Sequence, residues 1–295
     1  MKVAIHNAAG AAGARLVETF HLTGTPTPVA LASDHEGLVR AGRLPVTLRR
    51  FEPASISSLA SAFSGCSAAV FIPADEETPD EIVTGTKIFA EAARQARLRR
   101  VVMVSDIAVH PPDPEKSPDE DPPLPQHEHG SRPAALAAAE SALLEKCAGN
   151  PPSACVLRAG WLYGARVREF ADLAAELTTG VTAASAGNSP RQGLHVDNLV
   201  AAVRAALSAK LGDRHVFVVT DTGDLTCEAF RRAVSRELGS LRDEATPLPA
   251  HVETRKNTRW NHVPSRAERI LGYRPAVDVN EGIRRSCAWW KFTRE

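Results

Sequence analysis

The sequence predicts an α/β fold in which a parallel sheet carries helices on both faces. Short apolar runs, which suit strands buried on both sides, alternate along the chain with segments of helical spacing. The first apolar run, residues 3–5, leads through a glycine turn directly into a helix. Because parallel strands are joined by right-handed crossovers through helices, this alternation indicates a doubly wound parallel sheet.

The first unit, residues 3–20, has the features that a dinucleotide needs. Gly10 and Gly13 punctuate the turn, and alanines fill the rest of it, so the backbone can come close to a pyrophosphate. The start of the helix then offers free N–H groups and the positive end of its dipole to that anion. Asn7 replaces the usual first glycine, and asparagine is among the residues that tolerate a positive φ. The predicted pyrophosphate-binding residues are Asn7, Gly10, Ala11 and Ala12.

The remaining elements continue the alternation. The second strand is predicted over 29–32, and the polar stretch that follows it, with Arg40, Arg43, Arg49 and Arg50, is assigned no regular element. Apolar runs predict further strands over 68–72, 101–104, 155–158 and 215–220. Helical spacing and composition predict helices over 56–63, 81–97, 134–146, 170–177 and 226–238.

A long loop over 111–133 interrupts this pattern. Eight prolines lie between His110 and Ala134, and this density excludes a regular helix or a central strand. Long loops in compact domains are often functional or disordered, so an active-site rim and a disordered segment both stay open. The His-Glu-His triplet at 127–129 is interpreted as a polar rim, because no companion metal ligand lies nearby, and no metal is predicted.

Composition restricts the class of protein. The chain has 295 residues, 43% of them hydrophobic and 24% charged, with a formal net charge of zero. This balance argues against nucleic acid or an anionic membrane surface as the main partner. No apolar run approaches the roughly 20 residues of a membrane span, and the chain begins with a strand rather than a signal peptide. Five widely spaced cysteines without a CxxC motif predict a reducing, cytoplasmic location.

Several segments together resemble the extended short-chain dehydrogenases/reductases, in family order and over nearly the whole chain. They are residues 2–20, GTKIFAEAARQARLRRVVMVSD (85–106), CVLRAGWLYG (155–164), LHVDNLVAAVRAAL (194–207), RAERILGYRP (266–275) and EGIRRSCAWW (281–290). The resemblance implies a Rossmann-type dinucleotide-binding domain and a smaller, mostly helical substrate-binding region. The implied division assigns 1–165 and 191–221 to the Rossmann domain, and 166–190 and 222–295 to the substrate-binding or lid region.

The resemblance also implies the remaining cofactor contacts. Ser33 and Asp34 should reach the adenine ribose, and Pro73 and Ala74 should flank the adenosine. Ser105 should lie near the nicotinamide. So should three residues that follow the sixth predicted strand, namely Ala159, Trp161 and Leu162. A core role for Trp161 is an equal alternative.

The choice between NADPH and NADH depends on the end of the second strand. NAD sites usually place an acid there, and the strand match puts Ser33 at this position. A serine can donate to a 2′-phosphate, and Arg40 or Arg43 can add positive charge. We therefore expect NADPH, with NAD less favoured; a preference for NADH would instead place Asp34 on the ribose.

The usual catalytic residues of this family are missing. The family uses a serine or threonine, a tyrosine, and a lysine four residues after that tyrosine. Here only Tyr163 and Tyr273 exist, and valines stand four residues after both. By the segment match, Arg132 stands at the tyrosine position, or His129 if the loop is shifted. The chain therefore resembles an atypical member of this family.

Ser105 and Asp106 are the catalytic candidates, because they end a central strand where open α/β sheets bind ligands. A purely structural, turn-forming role is an equal alternative. Asp106 takes the serine/threonine position and is a poor acid at neutral pH unless its pKa is raised.

The pattern resembles atypical ketoreductases that tailor aromatic polyketides in antibiotic biosynthesis. The expected activity is therefore reduction of an aromatic polyketide carbonyl, with the proton supplied by the substrate itself. The alternative is a non-catalytic, dinucleotide-binding sensor whose partner surface is loop 111–133. Nucleotide-sugar epimerase or dehydratase chemistry is a distant third, because it needs the missing tyrosine as a base.

Overall fold

A computed structural model describes residues 1–110, 127–149, 151–179, 193–211, 214–221, 227–239 and 266–294. Most of the predicted loop 111–133, and parts of the predicted substrate-binding region, lie outside these residues. Among the described residues, no helix is both long and apolar enough to cross a membrane.

The predicted parallel sheet is confirmed. In the described part of the chain, seven parallel strands lie in the order β3-β2-β1-β4-β5-β6-β9. Their bounds are Lys2–Ile5 (β1), Thr27–Ala32 (β2), Thr47–Arg50 (β3), Ala68–Phe71 (β4), Arg100–Asp106 (β5), Ser153–Ala159 (β6) and Arg214–Val219 (β9). A separate parallel pair joins Trp161–Tyr163 (β7) to Gly193–His195 (β8).

Helices cover both faces of the sheet. Their bounds are Ala11–Thr23 (α1), His35–Ala41 (α2), Ile56–Ala62 (α3), Pro79–Gln95 (α4), Arg132–Lys146 (α5), Arg168–Thr179 (α6), Val196–Ser208 (α7), Cys227–Leu238 (α8) and Val279–Phe292 (α9). One apolar core joins the sheet to α1 and α7, and a second joins it to α3, α4 and α5. A third cluster, built from β7, α6, α8 and α9, forms a mostly helical region beside the sheet.

The prediction was wrong for the polar stretch after β2. We assigned no regular element there, but the structure places both α2 and β3 in this stretch. The strand β3 is an edge strand whose residues are largely exposed, with the sequence TLRR. An edge strand that faces water needs no apolar run, so the signal that identified the buried strands is missing here.

The strand order places a crevice at the carboxyl ends of β1 and β4. The chain builds outward from β1 through β2 and β3, then returns to the other side of β1 to form β4 and β5. At such a reversal the crossovers diverge to opposite faces and leave a gap above the strand ends, where open α/β sheets bind ligands.

Candidate active site

The turn between β1 and α1 is built for close backbone approach. Asn7 adopts a φ of 50°, the left-handed conformation that asparagine tolerates. The Gly10 N–H donates to the Asn7 carbonyl at 3.1 Å. A Cβ at Gly13 would lie 2.1 Å from the Asn7 carbonyl oxygen, so no larger residue fits there without moving the turn.

The start of α1 fits an anion. Gly10 is the N-cap residue, no side chain caps the helix, and its first turn holds no acidic residue. The first N–H groups of a helix have no partner within the helix, so Ala11 and Ala12 present theirs behind the smallest chiral side chains. These features match what a dinucleotide pyrophosphate requires.

A cavity of about 570 Å³ opens beside this turn. It brings together four of the predicted contacts, namely Asn7, Ser33, Asp34 and Ala74. The other predicted contacts are not part of its lining, namely Gly10, Ala11, Ala12, Pro73, Ser105, Ala159, Trp161 and Leu162. Sequence reasoning missed Phe51, Pro53 and Ala54, which also line it, because they follow the unpredicted β3. It also missed Gly85 and Ile88, which α4 contributes to the wall.

Ser33 lines the cavity, and Arg50 of β3 lies beside this serine without being part of the lining. In the β2–β3 register, Ala32 pairs with Arg50, and the Arg50 Nε lies 3.4 Å from the Ser33 carbonyl oxygen. Arg40, one of the two arginines expected to supply charge, forms an exposed ion pair with Glu36 instead. Asp34 caps α2, its carboxylate accepting from the Gly37 N–H at 2.6 Å. Among the described contacts, Arg50 is the cation that bonds to Ser33.

At the end of β5, Ser105 belongs to a buried polar network. Its hydroxyl donates to Glu140 on α5 at 2.5 Å, and Arg158 on β6 donates to the same carboxylate at 2.7 Å. Arg158 also lies 2.7 Å from the His110 Nε2. Arginine can only donate, so that nitrogen accepts and the ring is neutral. Burial, together with Arg158 and His127, lowers the pKa of His110 to about 4.

Asp106 lies next to this network, with its side chain exposed to solvent. One carboxylate oxygen accepts from the Ala108 N–H at 2.7 Å and caps the short 3₁₀ turn Ile107–Val109. Protein atoms still surround the group closely, and this desolvation raises the pKa of Asp106, while the nearby Arg132 opposes the shift. Asp106 pairs across the sheet with Ala159, so the two predicted residues are neighbours.

Neither tyrosine can replace the missing acid. The Tyr163 hydroxyl donates to Asp221 at 2.6 Å, and the Tyr273 hydroxyl donates to the Thr220 carbonyl at 3.3 Å. Both side chains are buried, and burial raises both pKa values above the ordinary range of tyrosine. They hold the structure around β8 and the end of β9.

The residues at the positions of the missing tyrosine and lysine have other contacts. Arg132 donates to the Ala74 carbonyl at 2.9 Å, so its guanidinium engages the β4–α4 loop. Leu136, at the lysine position, is buried in the core. His129, the alternative to Arg132, is exposed.

Trp161 and Leu162 lie on β7, where the Rossmann sheet meets the helical region. The Trp161 ring stacks on Tyr163 at 6.2 Å and meets Phe230 of α8 edge-on at 5.7 Å. Leu162 packs against both the α1/α7 core and the helical region's own cluster. These contacts make Trp161 part of the core that joins the two regions.

Comparisons with known proteins agree with this geometry. Residues 8–146 match an NAD(P)H-binding family. No curated protein sequence matches the chain. Among solved structures, the dTDP-glucose 4,6-dehydratase DesIV from Streptomyces venezuelae, with NAD bound, aligns over 100% of this chain and 98% of its own. Its TM-score is 0.79 at 20% identity.

Two further structures align over the full length of both chains. MoeE5, in complex with UDP-glucose and NAD, has a TM-score of 0.75 at 22% identity. A UDP-glucose 4-epimerase from Thermotoga maritima has a TM-score of 0.76 at 16% identity. At these identities the likeness concerns the fold. The chain therefore has the Rossmann-type α/β fold that these structures share.

Proposed function

We propose that this chain is an NADPH-dependent ketoreductase that reduces a carbonyl of an aromatic polyketide, of the angucyclinone-like quinone kind. The observation that carries the proposal is a combination of two features. A glycine turn and an uncapped helix start fit a dinucleotide, while both tyrosines of the chain are buried in structural hydrogen bonds. The bound dinucleotide supplies a hydride.

The residues at the end of β2 support NADPH over NADH. Ser33 offers a hydroxyl in place of the acid of NAD sites, and Arg50 places a guanidinium beside it. Asp34 already has one carboxylate oxygen committed to the α2 N-cap. Serine and arginine together suit a 2′-phosphate, whereas two ribose hydroxyls would favour a free carboxylate.

The protein's part in the reaction is to bind and orient. Ala11 and Ala12 hold the pyrophosphate through backbone N–H groups at the uncapped start of α1, and Ala74, which lines the cavity, borders the adenosine. Ala159 and Leu162 border the nicotinamide end of the crevice, whereas Trp161 packs in the core that joins the two regions. The Ser105 proton is committed to Glu140, so this serine fixes the end of β5 rather than protonating the substrate.

The proton for the reduced carbonyl oxygen then comes from the substrate. In a quinone-like carbonyl beside a phenolic hydroxyl, an internal hydrogen bond already points at the oxygen that gains charge. Because that proton is held in place, its effective concentration is high, and no protein acid is required. Epimerase or dehydratase chemistry is disfavoured. The family that the chain resembles uses a tyrosine as the base in these reactions, and both tyrosines of this chain are engaged in buried hydrogen bonds.

A screen of NADPH oxidation against hydroxylated polycyclic quinones tests the proposal. We expect turnover with compounds that carry a hydroxyl next to the carbonyl, and weaker activity with NADH. The competing candidate is a dinucleotide-binding sensor, which the absence of an available tyrosine also favours. A sensor would bind NADPH and leave it unoxidised with every carbonyl compound supplied.

A further inference from the structure

The loop between β4 and α4, residues 72–78, is held in place by an arginine from a different helix. We infer that Arg132 is a positioning residue that fixes this loop in the shape that receives the cofactor. The inference rests on the proposed function, because it concerns the same dinucleotide site. The inference gives a role to Arg132, which stands at the position of the catalytic tyrosine in the family that the chain resembles.

The contacts of Arg132 are concentrated on the loop backbone. One terminal nitrogen, Nη2, donates to the Ala74 carbonyl at 2.9 Å. The other, Nη1, lies 3.4 Å from both the Asp75 and the Glu77 carbonyl oxygens. The Asp75 carboxylate adds an ion pair at 3.9 Å. A planar guanidinium presents its donors in a rigid fork, so a single side chain fixes three peptide groups relative to one another.

The loop is also held from within. The Ala74 N–H donates to the Glu77 carboxylate at 3.1 Å. Both polar groups of Ala74 are therefore bonded, its N–H to Glu77 and its carbonyl to Arg132. Ala74 and Glu77 both line the cavity beside the glycine turn. A movement of this loop changes the wall of the cofactor cavity directly.

Arg132 itself is anchored at the start of α5. Ser131 caps that helix by accepting from the Ala134 N–H at 3.3 Å, and Pro133 follows Arg132 with a fixed φ. The arginine therefore extends from a rigid helix start toward the loop. Its charge faces several carboxyl groups, since Asp75, Glu77 and Asp106 each have a raised pKa that Arg132 partly offsets.

This geometry separates positioning from catalysis. An arginine that stabilised the reacting oxygen would aim its donors at the substrate, and its loss would lower kcat. In this structure both terminal nitrogens of Arg132 donate hydrogen bonds to carbonyl oxygens of the loop. Its loss should therefore weaken cofactor binding and leave kcat at saturating NADPH largely intact.

The test compares Arg132→Gln, Arg132→Lys and the control Arg94→Gln. Arg94 pairs with Glu91 on α4 and does not line the cavity. Calorimetry measures Kd for NADPH and for its adenosine half, 2′-phospho-ADP-ribose. Arg132→Gln should weaken both by about tenfold, the lower end of what a charge-assisted hydrogen bond contributes. Arg132→Lys, which keeps the charge and loses the fork, should fall between, and Arg94→Gln should match the unaltered chain.

Three results would overturn the inference. Arg132→Gln and Arg132→Lys could bind both ligands as tightly as the unaltered chain. Alternatively, kcat could fall with Kd unchanged, which would assign Arg132 a catalytic role. If the unaltered chain bound neither ligand, the proposed function would fail and this inference with it. Arg132→Gln could also have a lower thermal midpoint. In that case the Kd values of Arg132→Lys, which retains the charge, are compared with those of the unaltered chain instead.

Discussion

The phenol of Tyr163 lies 2.6 Å from the carboxylate of Asp221, and both groups are buried. Asp221 also accepts from the His195 N–H and from the Asn198 side chain, so the aspartate organises the region where β8 meets α7. Tyr163 stands four residues before a valine, not a lysine. This relationship makes the tyrosine a structural donor.

Tyr163→Phe should therefore destabilise the fold and spare the activity. It leaves one lone pair of a buried carboxylate without its donor, which costs about 1–3 kcal/mol of unfolding free energy. Urea denaturation measures that loss, and kcat for NADPH oxidation should stay within about threefold, well short of the 10²–10⁴-fold of a general acid. A loss of turnover with the fold intact would show that the tyrosine takes part in the reaction.

Gly10→Asp and Gly10→Asn test the anion site with side chains of equal size. The three atoms nearest to a Cβ at Gly10 would be side-chain atoms of Asn7, at 2.9 to 3.0 Å, so a small movement of that side chain relieves the closest contacts in both variants. The aspartate adds a negative charge at the start of α1, where the pyrophosphate is expected. It should bind NADPH at least about tenfold more weakly than the asparagine variant, or ~1.4 kcal/mol. Equal affinity of the two variants would argue against a pyrophosphate at this helix.

Arg50→Gln should alter the choice of cofactor. Removing a guanidinium from a 2′-phosphate costs about 1.5–3 kcal/mol, so Kd for NADPH should rise by about tenfold or more. The affinity for NADH, which lacks that phosphate, should change little. Arg94→Gln provides the control, since Arg94 pairs with Glu91 on α4 and does not line the cavity. An equal loss for both cofactors would remove Arg50 from the specificity site.

His110 predicts a pH dependence of stability. Burial, together with Arg158 and His127, lowers its pKa in the folded chain to about 4, whereas an unfolded histidine titrates near 6.5. Between these values the unfolded chain binds more protons, so this group's contribution to stability decreases as pH falls from about 6.5 to about 4. The slope reaches ~1.4 kcal/mol per pH unit at most.

His110→Asn isolates this effect, because an amide oxygen can still accept from Arg158. The unfolding free energy of the unaltered chain should decrease relative to that of His110→Asn over this pH window. His129→Asn, at an exposed histidine, serves as the control. Parallel pH profiles for the unaltered chain and His110→Asn would contradict the assignment of His110 as a neutral acceptor.

The sequence predicted the strands of the sheet that are buried on both faces and missed the exposed edge strand. The strands with continuous apolar runs, such as β4 and β5, lie where their runs indicated, because a parallel strand buried on both faces needs such a run. The edge strand β3 carries no such run, so Phe51 and Arg50 at its end could not be placed beside Ser33.

Side-chain partners were beyond prediction for a related reason. The sequence gives the strand ends but not which groups meet there. Ser105 was a candidate catalytic residue, and the structure shows its hydroxyl directed at Glu140, 35 residues away along the chain. Such pairs depend on how α5 packs on the sheet, which periodicity does not determine.

The proposed mechanism requires no single protein acid. Ser105→Ala, Asp106→Asn and His129→Ala should each retain turnover within about tenfold, below the 10²–10⁴-fold that a positioned general acid usually contributes. Ser105→Ala should also lower the thermal midpoint, because Glu140 loses a buried donor. A thousandfold loss of kcat in a folded variant would identify a protein acid.

The most direct measurement compares turnover of one hydroxyquinone with that of its derivative methylated at the hydroxyl beside the carbonyl. Both are assayed with NADPH and the unaltered chain, and binding of the methylated compound is confirmed separately by calorimetry. Substrate-assisted protonation predicts that the methylated compound binds and that its turnover falls by at least about 10²-fold, the contribution of a positioned acid. Comparable turnover of the two compounds would contradict it, because the proton would then have to come from the protein or from water.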